Sequence, residues 1–395
     1  STPADAAGWS RLGEERMLRY RQTLDVRYVS EAREAFEKAA GLDPDSADAL
    51  VGLAWAANTA HVFGEGIRWA RMALEKDPDN DRAEALLGDA AVELGRYDEA
   101  FEHYQRALDL RPGLSSYSRA SHLLFLTGDT RRAIWMMQKA IEAGDPAGEE
   151  TAWCRAQWAE MLFETGALLP AAAAAEAGLM LNPEHPSLLM TMGRIRLAQG
   201  RAEEAEACYR KALDAGETHE ALAGLGDLLW ATGRRETAEE VYQRLIAFHG
   251  AEPGSAKGPV HGPAGEHGQL ARFYADHDRN PEDALDMAQP DYDAFPNVRA
   301  ADTLAWCLYR NGRFQDALRL IRRALSQGTQ DAGMHYHAGL IQIALGNVAE
   351  GKKHLYQALN LNPHFDPIHA PLAVALLGKA VSELSPGESG KEAAE

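Results

Sequence analysis

The sequence has few cysteines and no long apolar segment, and each absence excludes a class of protein. Cys154, Cys208 and Cys307 are far apart and odd in number, which excludes a dense disulfide framework and a paired-cysteine metal motif. We expect them to be small buried apolar residues. No run of about 18 apolar residues occurs, so no segment is predicted to span a bilayer.

Positive charge is also scarce, since 40 Lys and Arg residues stand against 59 Asp and Glu residues and give a formal charge of −19. Such a surface repels phosphate backbones, so nucleic acid is not an expected partner. The chain begins Ser1-Thr2-Pro3 without a methionine, which fits either a cleaved leader or a trimmed chain. The compartment, cytoplasmic or periplasmic, therefore stays open.

What the sequence does contain is one pattern repeated many times. In residues 81–112, Gly88 lies inside a predicted first helix, Gly95 ends it, Tyr104 lies in a predicted second helix and Pro112 closes the unit. A small residue lets two antiparallel helices approach, and a large one fills the space between them. Glycine permits the tight turn, and proline stops the second helix.

This pattern resembles the tetratricopeptide motif, which has small residues in both helices, an aromatic residue between them and a terminal proline. The resemblance implies an all-α fold: a right-handed α–α superhelix, the TPR solenoid, of about ten helix-turn-helix repeats with a C-terminal capping helix. The other units that keep the pattern are 47–78, 114–146, 153–183, 187–217, 219–249, 298–329 and 332–363.

Two units depart from the pattern. The first has about seven extra residues near Tyr20 to Val26, predicted to form an extended helix or a loop. In the unit at 267–296, Pro290 removes a backbone hydrogen bond, so we expect a short second helix and irregular structure over 291–297. The predicted organisation is repeats 1–7 over 1–249, a Gly/Pro-rich linker at 250–266, an irregular repeat 8 plus repeats 9 and 10 over 267–365, a capping helix at 366–381 and a disordered tail at 382–395.

The resemblance also implies that the first helix of each unit lines a concave groove that binds a partner. Aromatic and arginine side chains dominate binding energy at interfaces, and they are densest in the last two repeats. Aromatic residues at helical spacing more often form core, so core packing stays an alternative for Trp306 and Tyr309. The candidate partner-binding residues are Trp55, Arg119, His122, Arg194, Trp230, Trp306, Tyr309, Arg310, Tyr336 and His337.

Some family members hold a partner's C-terminal carboxylate in a clamp of lysine and asparagine side chains. Here only Asn58 comes close to such a position and no lysine joins it. Binding of that kind is therefore not predicted.

No catalytic or metal-binding motif accompanies the repeats. His335 and His337 are two residues apart on a predicted helix, so they diverge by about 200° and cannot face one ion. The Gly224-Leu225-Gly226 segment lies within a predicted helix and is interpreted as packing rather than a phosphate cradle. We predict no enzymatic activity, no cofactor and no metal site.

A binding scaffold for a protein or peptide partner is the favoured function. The excess of arginine over lysine fits a bacterial GC-rich genome, and the resemblance to bacterial repeat proteins implies a role in assembling a bacterial complex. Two alternatives remain open. The spread of Trp55, Trp230 and Trp306 would suit an extended small-molecule or carbohydrate ligand. Stacked repeats with exposed ends can also self-assemble, although the net charge favours a monomer.

Overall fold

Helices account for all regular structure that the computed structural model describes, which covers residues 5–23, 26–250 and 263–379. In these residues 21 helices follow one another and no strand occurs, which confirms the predicted all-α class. The helices are α1 Ala6–Thr23, α2 Arg27–Leu42, α3 Ala47–Thr59, α4 Phe63–Lys76, α5 Asp81–Glu93, α6 Tyr97–Leu110, α7 Leu114–Leu126, α8 Thr130–Ala143, α9 Glu149–Glu164, α10 Leu168–Leu181, α11 Pro186–Ala198, α12 Ala202–Asp214, α13 His219–Ala231, α14 Arg235–Gly250, α15 Pro263–Asp276, α16 Pro281–Ala294, α17 Val298–Arg310, α18 Phe314–Leu325, α19 Ala332–Ala344, α20 Val348–Leu361 and α21 His369–Gly378.

Consecutive helices form pairs, from α1 with α2 to α19 with α20, and α21 follows the last pair. Several first helices begin at a polar N-cap: Ser46, Asn80 and Thr218 each accept the N–H three residues on, which satisfies one of the free donors at a helix start. Gly95 ends α5 with a φ of 68°, a left-handed conformation that glycine adopts readily. The result is the expected series of about ten helix-turn-helix repeats.

Glycine in the first helix of a pair receives an aromatic ring from the second. A Cβ atom on Gly226 of α13 would lie 2.3 Å from Cε1 of Tyr242 on α14, and Gly88 meets Tyr104 at the same 2.3 Å. Both tyrosine side chains are buried. The close approach of the paired helices therefore depends on the missing side chain, as the motif predicts.

Of the two alternatives for the first repeat, the structure shows the extended helix. Helix α1 has 18 residues, whereas the first helices α3 and α5 have 13 each. Residues 24 and 25 lie outside the described part of the chain.

The prediction that Pro290 interrupts its helix is wrong. Helix α16 runs through Pro290 to Ala294, so 291–294 is helical rather than irregular. Proline removes one backbone donor, but the helix is held on both sides of it. Ala284 and Ala288 are buried before Pro290, and after it the N–H of Phe295 donates to Asp291 O at 2.8 Å.

Backbone contacts divide the chain into two compact units. Unit 1 comprises residues 1–123 with 249–266, and unit 2 comprises 124–248 with 267–395. Residues 251–262 of the predicted linker and the predicted tail at 382–395 lie outside the described residues. None of the described helices combines the length and the apolar character needed to cross a membrane.

The early and late helices of unit 2 contact each other. Thr329 is buried and precedes α19 in the chain. Its Oγ1 donates to Leu126 O at 2.5 Å, although the two residues are far apart in sequence. A Cβ on Gly128 would lie 2.1 Å from Gly328 O, so two turn segments touch backbone to backbone. Arg194 of α11 also donates to the carbonyl of Phe365 at 3.3 Å. Of the residues in these contacts, Arg194 and Phe365 also line a cavity of unit 2.

Candidate functional site: a charged cavity in unit 2

A polar cavity of about 220 Å³ lies where the early and late helices of unit 2 meet. Pockets for small molecules usually measure about 300–1,000 Å³, so this cavity suits a side chain or a chain end rather than a whole drug-sized ligand. Helices α9, α11, α15 and α19 and the segment entering α21 supply its walls. The lining residues are Glu164, Arg194, Arg272, Asp331, Gly333, Tyr336, His337, Phe365, Asp366 and His369.

An ion-pair network centred on Arg272 of α15 forms one wall. The guanidinium donates to Asp276 at 2.8 Å and to Asp302 at 2.6 Å. Nδ1 of His337 donates to the other oxygen of Asp302, at 2.8 Å. Burial opposes the charge on Asp302, but His337 and Arg272 outweigh it and hold the pKa of that carboxyl at about 2. Burial also lowers the pKa of His337. The charged groups of this wall are therefore paired with one another.

Arg194 of α11 forms the opposite wall. Its guanidinium pairs with Glu160 and, at 2.8 Å, with Glu164, both on α9. Burial raises the pKa of Glu164 to about 8, the charge of Asp331 acts in the same direction, and the charge of Arg299 opposes the shift. Glu164 is thus a carboxyl whose charge is costly in this cavity.

Two helix starts supply the remaining carboxylates. Asp366 accepts the backbone N–H of His369 at 2.6 Å, and Asp331 caps α19 by accepting the N–H of Met334 at 2.8 Å. His369 donates through Nε2 to Asp276 O at 3.1 Å. Burial would lower the pKa of His369, but the Asp366 carboxylate outweighs it and raises that pKa above its ordinary value. The second imidazole at the cavity therefore favours its charged form.

The aromatic residues predicted as the densest binding patch form a buried layer beside this cavity. Trp306 is 0 % exposed and stacks on His337 at 4.3 Å and on Tyr309 at 4.8 Å between ring centroids. The Arg310 guanidinium lies 4.5 Å from the centroid of the Trp306 ring. Trp306 and Tyr309 are therefore core residues, the alternative that the sequence left open. Of this patch, Tyr336 and His337 line the cavity.

The other predicted binding residues separate into those at the cavity and those away from it. Arg194 lines it. In unit 1, Arg119 pairs with Asp89 at 2.8 Å, Trp55 packs half-buried against the core, and His122 is half-buried on α7. Trp230 is half-buried in unit 2 and does not line the cavity. Of the ten predicted residues, Arg194, Tyr336 and His337 line the cavity of unit 2.

Sequence reasoning missed four residues that supply much of the charge in the cavity. Glu164, Asp331, Asp366 and His369 line it, but only Glu164 lies in a helix that was expected to line the groove. One signal was present: Asp366 and His369 are ionisable residues at the start of the capping segment, which is otherwise mostly apolar.

The chemistry available at the cavity is ionic. Its lining combines carboxylates, guanidiniums and imidazoles, and among the described lining residues the only hydroxyl is that of Tyr336. Across the described parts of the chain, no group of three or more His, Cys, Asp or Glu side chains is arranged to hold a metal ion.

Comparison with known families agrees with the helix pairs. The tetratricopeptide-repeat model matches residues 24–81, 63–115, 162–218 and 190–256. A model described as subunit 3 of the anaphase-promoting complex, or cyclosome, matches residues 273–358. No protein of curated function matches the chain.

The solved structures to which this chain is similar include three proteins of low sequence identity. PilF of Pseudomonas aeruginosa is 19 % identical, with 54 % of this chain and 95 % of that chain covered and a TM-score of 0.45. The type IV pilus biogenesis factor PilW is 19 % identical, with 53 % and 96 % covered and a TM-score of 0.44. Yeast Tom70 is 14 % identical, with 94 % and 88 % covered and a TM-score of 0.42.

The tetratricopeptide matches fall in both units, on helix pairs whose glycines receive a neighbouring tyrosine ring. Sequence match and packing agree over residues 24–115 and 162–250. The chain belongs to the tetratricopeptide-repeat family.

Proposed function

We propose that this protein is a non-catalytic scaffold that binds a protein or peptide partner, in the assembly of a bacterial complex, and that the cavity of unit 2 receives part of that partner. The observation that carries the proposal is the cavity itself. It is a recess of about 220 Å³ that the helices of unit 2 line with ionisable side chains. Buried charged side chains need ion-pair or hydrogen-bond partners. Elsewhere the repeat fold fills its interior mainly with apolar residues.

The size of the cavity supports a peptide rather than a free small molecule. A single side chain or a chain end fits the space, and the rest of a peptide would lie on the surface around its mouth. Affinity would then come from the combination of the two parts, as is usual for peptide recognition.

The carbohydrate alternative depended on tryptophan rings spread along a groove. Trp306 is fully buried and offers no ring face to a ligand. Trp55 and Trp230 are half-buried and do not line the cavity, so we retain the peptide proposal.

Gly333 offers a direct test of the cavity. It lies at the cavity on α19, and a Cβ there would be 3.2 Å from Asp331 Oδ1 and 3.7 Å from Arg272 Nη2. We expect the leucine of Gly333→Leu to fill much of the cavity while leaving the helix intact. A displayed library of random dodecapeptides would be selected against the wild-type chain and against this variant.

The matched control is Gly64→Leu, because a Cβ on Gly64 of α4 meets nothing within 4 Å. We expect peptides enriched on the wild type to bind Gly64→Leu equally and to lose binding to Gly333→Leu. Circular dichroism would establish that both variants are folded. Equal binding of the enriched peptides to all three proteins would refute the role of the cavity.

A monomer is part of the same proposal. Light scattering should give a mass near the 43.1 kDa of one chain at all concentrations tested. A mass that rises with concentration would favour the self-assembly alternative.

A further inference from the structure

Each of the two arginines of the cavity is already paired with two carboxyl groups. Arg272 pairs with Asp276 and Asp302. Arg194 pairs with Glu160 and Glu164 and donates to a backbone carbonyl. An anionic ligand would have to displace one of these carboxylates, which would leave a charge unpaired in a poorly solvated space. The cavity is therefore not built to receive an anion.

Acceptor oxygens, in contrast, remain available. Oδ1 of Asp276 is buried and has no hydrogen-bond partner among the described residues. Glu164, Asp331 and Asp366 each use one oxygen in the contacts given above. Within the described chain, no hydrogen bond engages their second oxygens. Carboxyl oxygens of Glu164, Asp331 and Asp366, which line the cavity, thus remain available to a ligand donor.

Tyr336 gives a second, independent indication of a ligand. Its side chain is 2 % exposed and lines the cavity, and its ring stacks on His369 at 5.0 Å between centroids. Its hydroxyl has no hydrogen-bond partner in the part of the chain that the structure describes. A buried phenol normally has such a partner, so the hydroxyl is free to accept from a ligand donor or to donate to one.

Carboxyl groups outnumber the arginines paired with them at and beside the cavity. The carboxylates are Glu160, Glu164, Asp276, Asp302, Asp331 and Asp366, and the arginines paired with them are Arg194 and Arg272. His369 and the exposed Arg299 offset part of the excess, and the charge of Arg299 acts on Glu164. Burial together with Asp331 still raises the pKa of Glu164 to about 8. A second cation beside Glu164, in addition to Arg194, would further favour the ionised carboxyl and lower that pKa.

We propose that the cavity binds one ammonium group of the partner peptide, with Glu164 and Asp366 as its carboxylate ligands and the Tyr336 hydroxyl as a further acceptor. This inference rests on the proposed function and specifies the chemistry of its ligand. A primary ammonium has three donors, which matches acceptors that converge from several helices. Either a lysine side chain or a peptide amino terminus supplies such a group.

Defined pentapeptides separate these two sources. The lysine probe is acetyl-Gly-Gly-Lys-Gly-Gly-amide, and the terminal probe is Gly-Gly-Gly-Gly-Gly-amide with a free amino group. Acetylated peptides with Gln or Glu in place of Lys are the neutral and anionic controls, and n-butylammonium tests the cation alone. Binding of each to the full-length protein would be measured by isothermal titration at low ionic strength.

Glu164→Gln is the decisive variant and Glu160→Gln is its matched control. Both residues lie on α9, both pair with Arg194, and their side chains are 24 % and 27 % exposed. Only Glu164 lines the cavity. Either variant leaves Arg194 with one carboxylate, so the two should fold equally well.

We expect an ammonium probe to bind the wild type and Glu160→Gln within about threefold of each other and to bind Glu164→Gln at least about tenfold more weakly, since a hydrogen bond between charged groups contributes that much. Preference for one probe identifies the source of the ammonium. An equal loss of affinity for the ammonium probe in the two variants would overturn the inference. Binding of the Glu peptide in place of the Lys peptide would also overturn it.

The failure of this inference is distinguishable from that of the proposed function. If library peptides bind at the cavity whether or not they contain an ammonium group, the protein is a peptide-binding scaffold and the assignment of the cavity to a cation is wrong. If n-butylammonium binds as tightly as either peptide and the library yields nothing, the cation assignment stands and the peptide proposal fails.

Discussion

The packing of glycine against an aromatic ring can be tested at Gly52 of α3. A Cβ atom there would lie 2.2 Å from Cδ1 and from Cε1 of Phe36 on α2. The ring cannot simply shift away, because on another side it meets Gly13 of α1, where a Cβ would be 2.6 Å from it. Phe36 is 0 % exposed. We therefore expect Gly52→Ala to force a rearrangement of all three helices.

The expected magnitude follows from two opposing effects. Overpacking a buried site costs about 1–3 kcal/mol, while replacing a helical glycine with alanine stabilises by up to about 1 kcal/mol. Gly64→Ala provides the second effect alone, because nothing lies within 4 Å of its Cβ position. The two variants should differ in free energy of unfolding by about 1–3 kcal/mol, with Gly64→Ala the more stable.

Urea unfolding followed by circular dichroism would measure the difference. Because repeat arrays do not always unfold in two states, hydrogen exchange of the α2 and α3 amides should accompany it. Phe36→Leu should cost less in the Gly52→Ala background than in the wild type, since the smaller side chain relieves the clash. If Gly52→Ala proved as stable as Gly64→Ala, the argument from ring packing would be refuted.

Three further predictions concern unit 2. The pKa of Glu164 is raised from 4.5 to about 8, so the contribution of this residue to stability falls as the pH rises through that window. The difference in melting temperature between Glu164→Gln and the wild type should therefore shift in favour of the variant up to about pH 8 and stay constant above it. Burial and the adjacent His354 lower the pKa of His335 from 6.5 to about 4, so the wild type should lose stability as the pH falls from about 6.5 to about 4, and His335→Gln should lose less. Thr329→Val leaves the carbonyl of Leu126 without its donor and should cost about 1–3 kcal/mol in urea unfolding.

The repeat fold was predictable because it depends on local patterns. Small residues, turn glycines and helix-ending prolines act within about 30 residues, so the sequence alone indicates where each pair begins and ends. The effect of Pro290 was misjudged because only the local energetic cost of a proline in a helix was considered, and not the contacts of the rest of that helix. The buried Ala284 and Ala288 and the bond to Asp291 hold the helix on both sides of it.

The cavity was not predictable, because it depends on which distant repeats meet. Arg194 and Phe365 are joined by a hydrogen bond, yet no local pattern shows that α11 lies beside the segment entering α21. Of the residues that the family rule placed in the groove, Arg194, Tyr336 and His337 line the cavity. The rule also selected Trp306, which is buried, because the rule gives the direction of a side chain and not the depth at which it lies.

The central claim is that the cavity holds an ammonium group, and a crystal structure with acetyl-Gly-Gly-Lys-Gly-Gly-amide would test it most directly. We predict the lysine nitrogen within hydrogen-bond distance of carboxylate oxygens of Glu164 and Asp366, with Arg194 and Arg272 still paired as they are here. A lysine bound elsewhere on the protein while the cavity keeps only water would contradict the account.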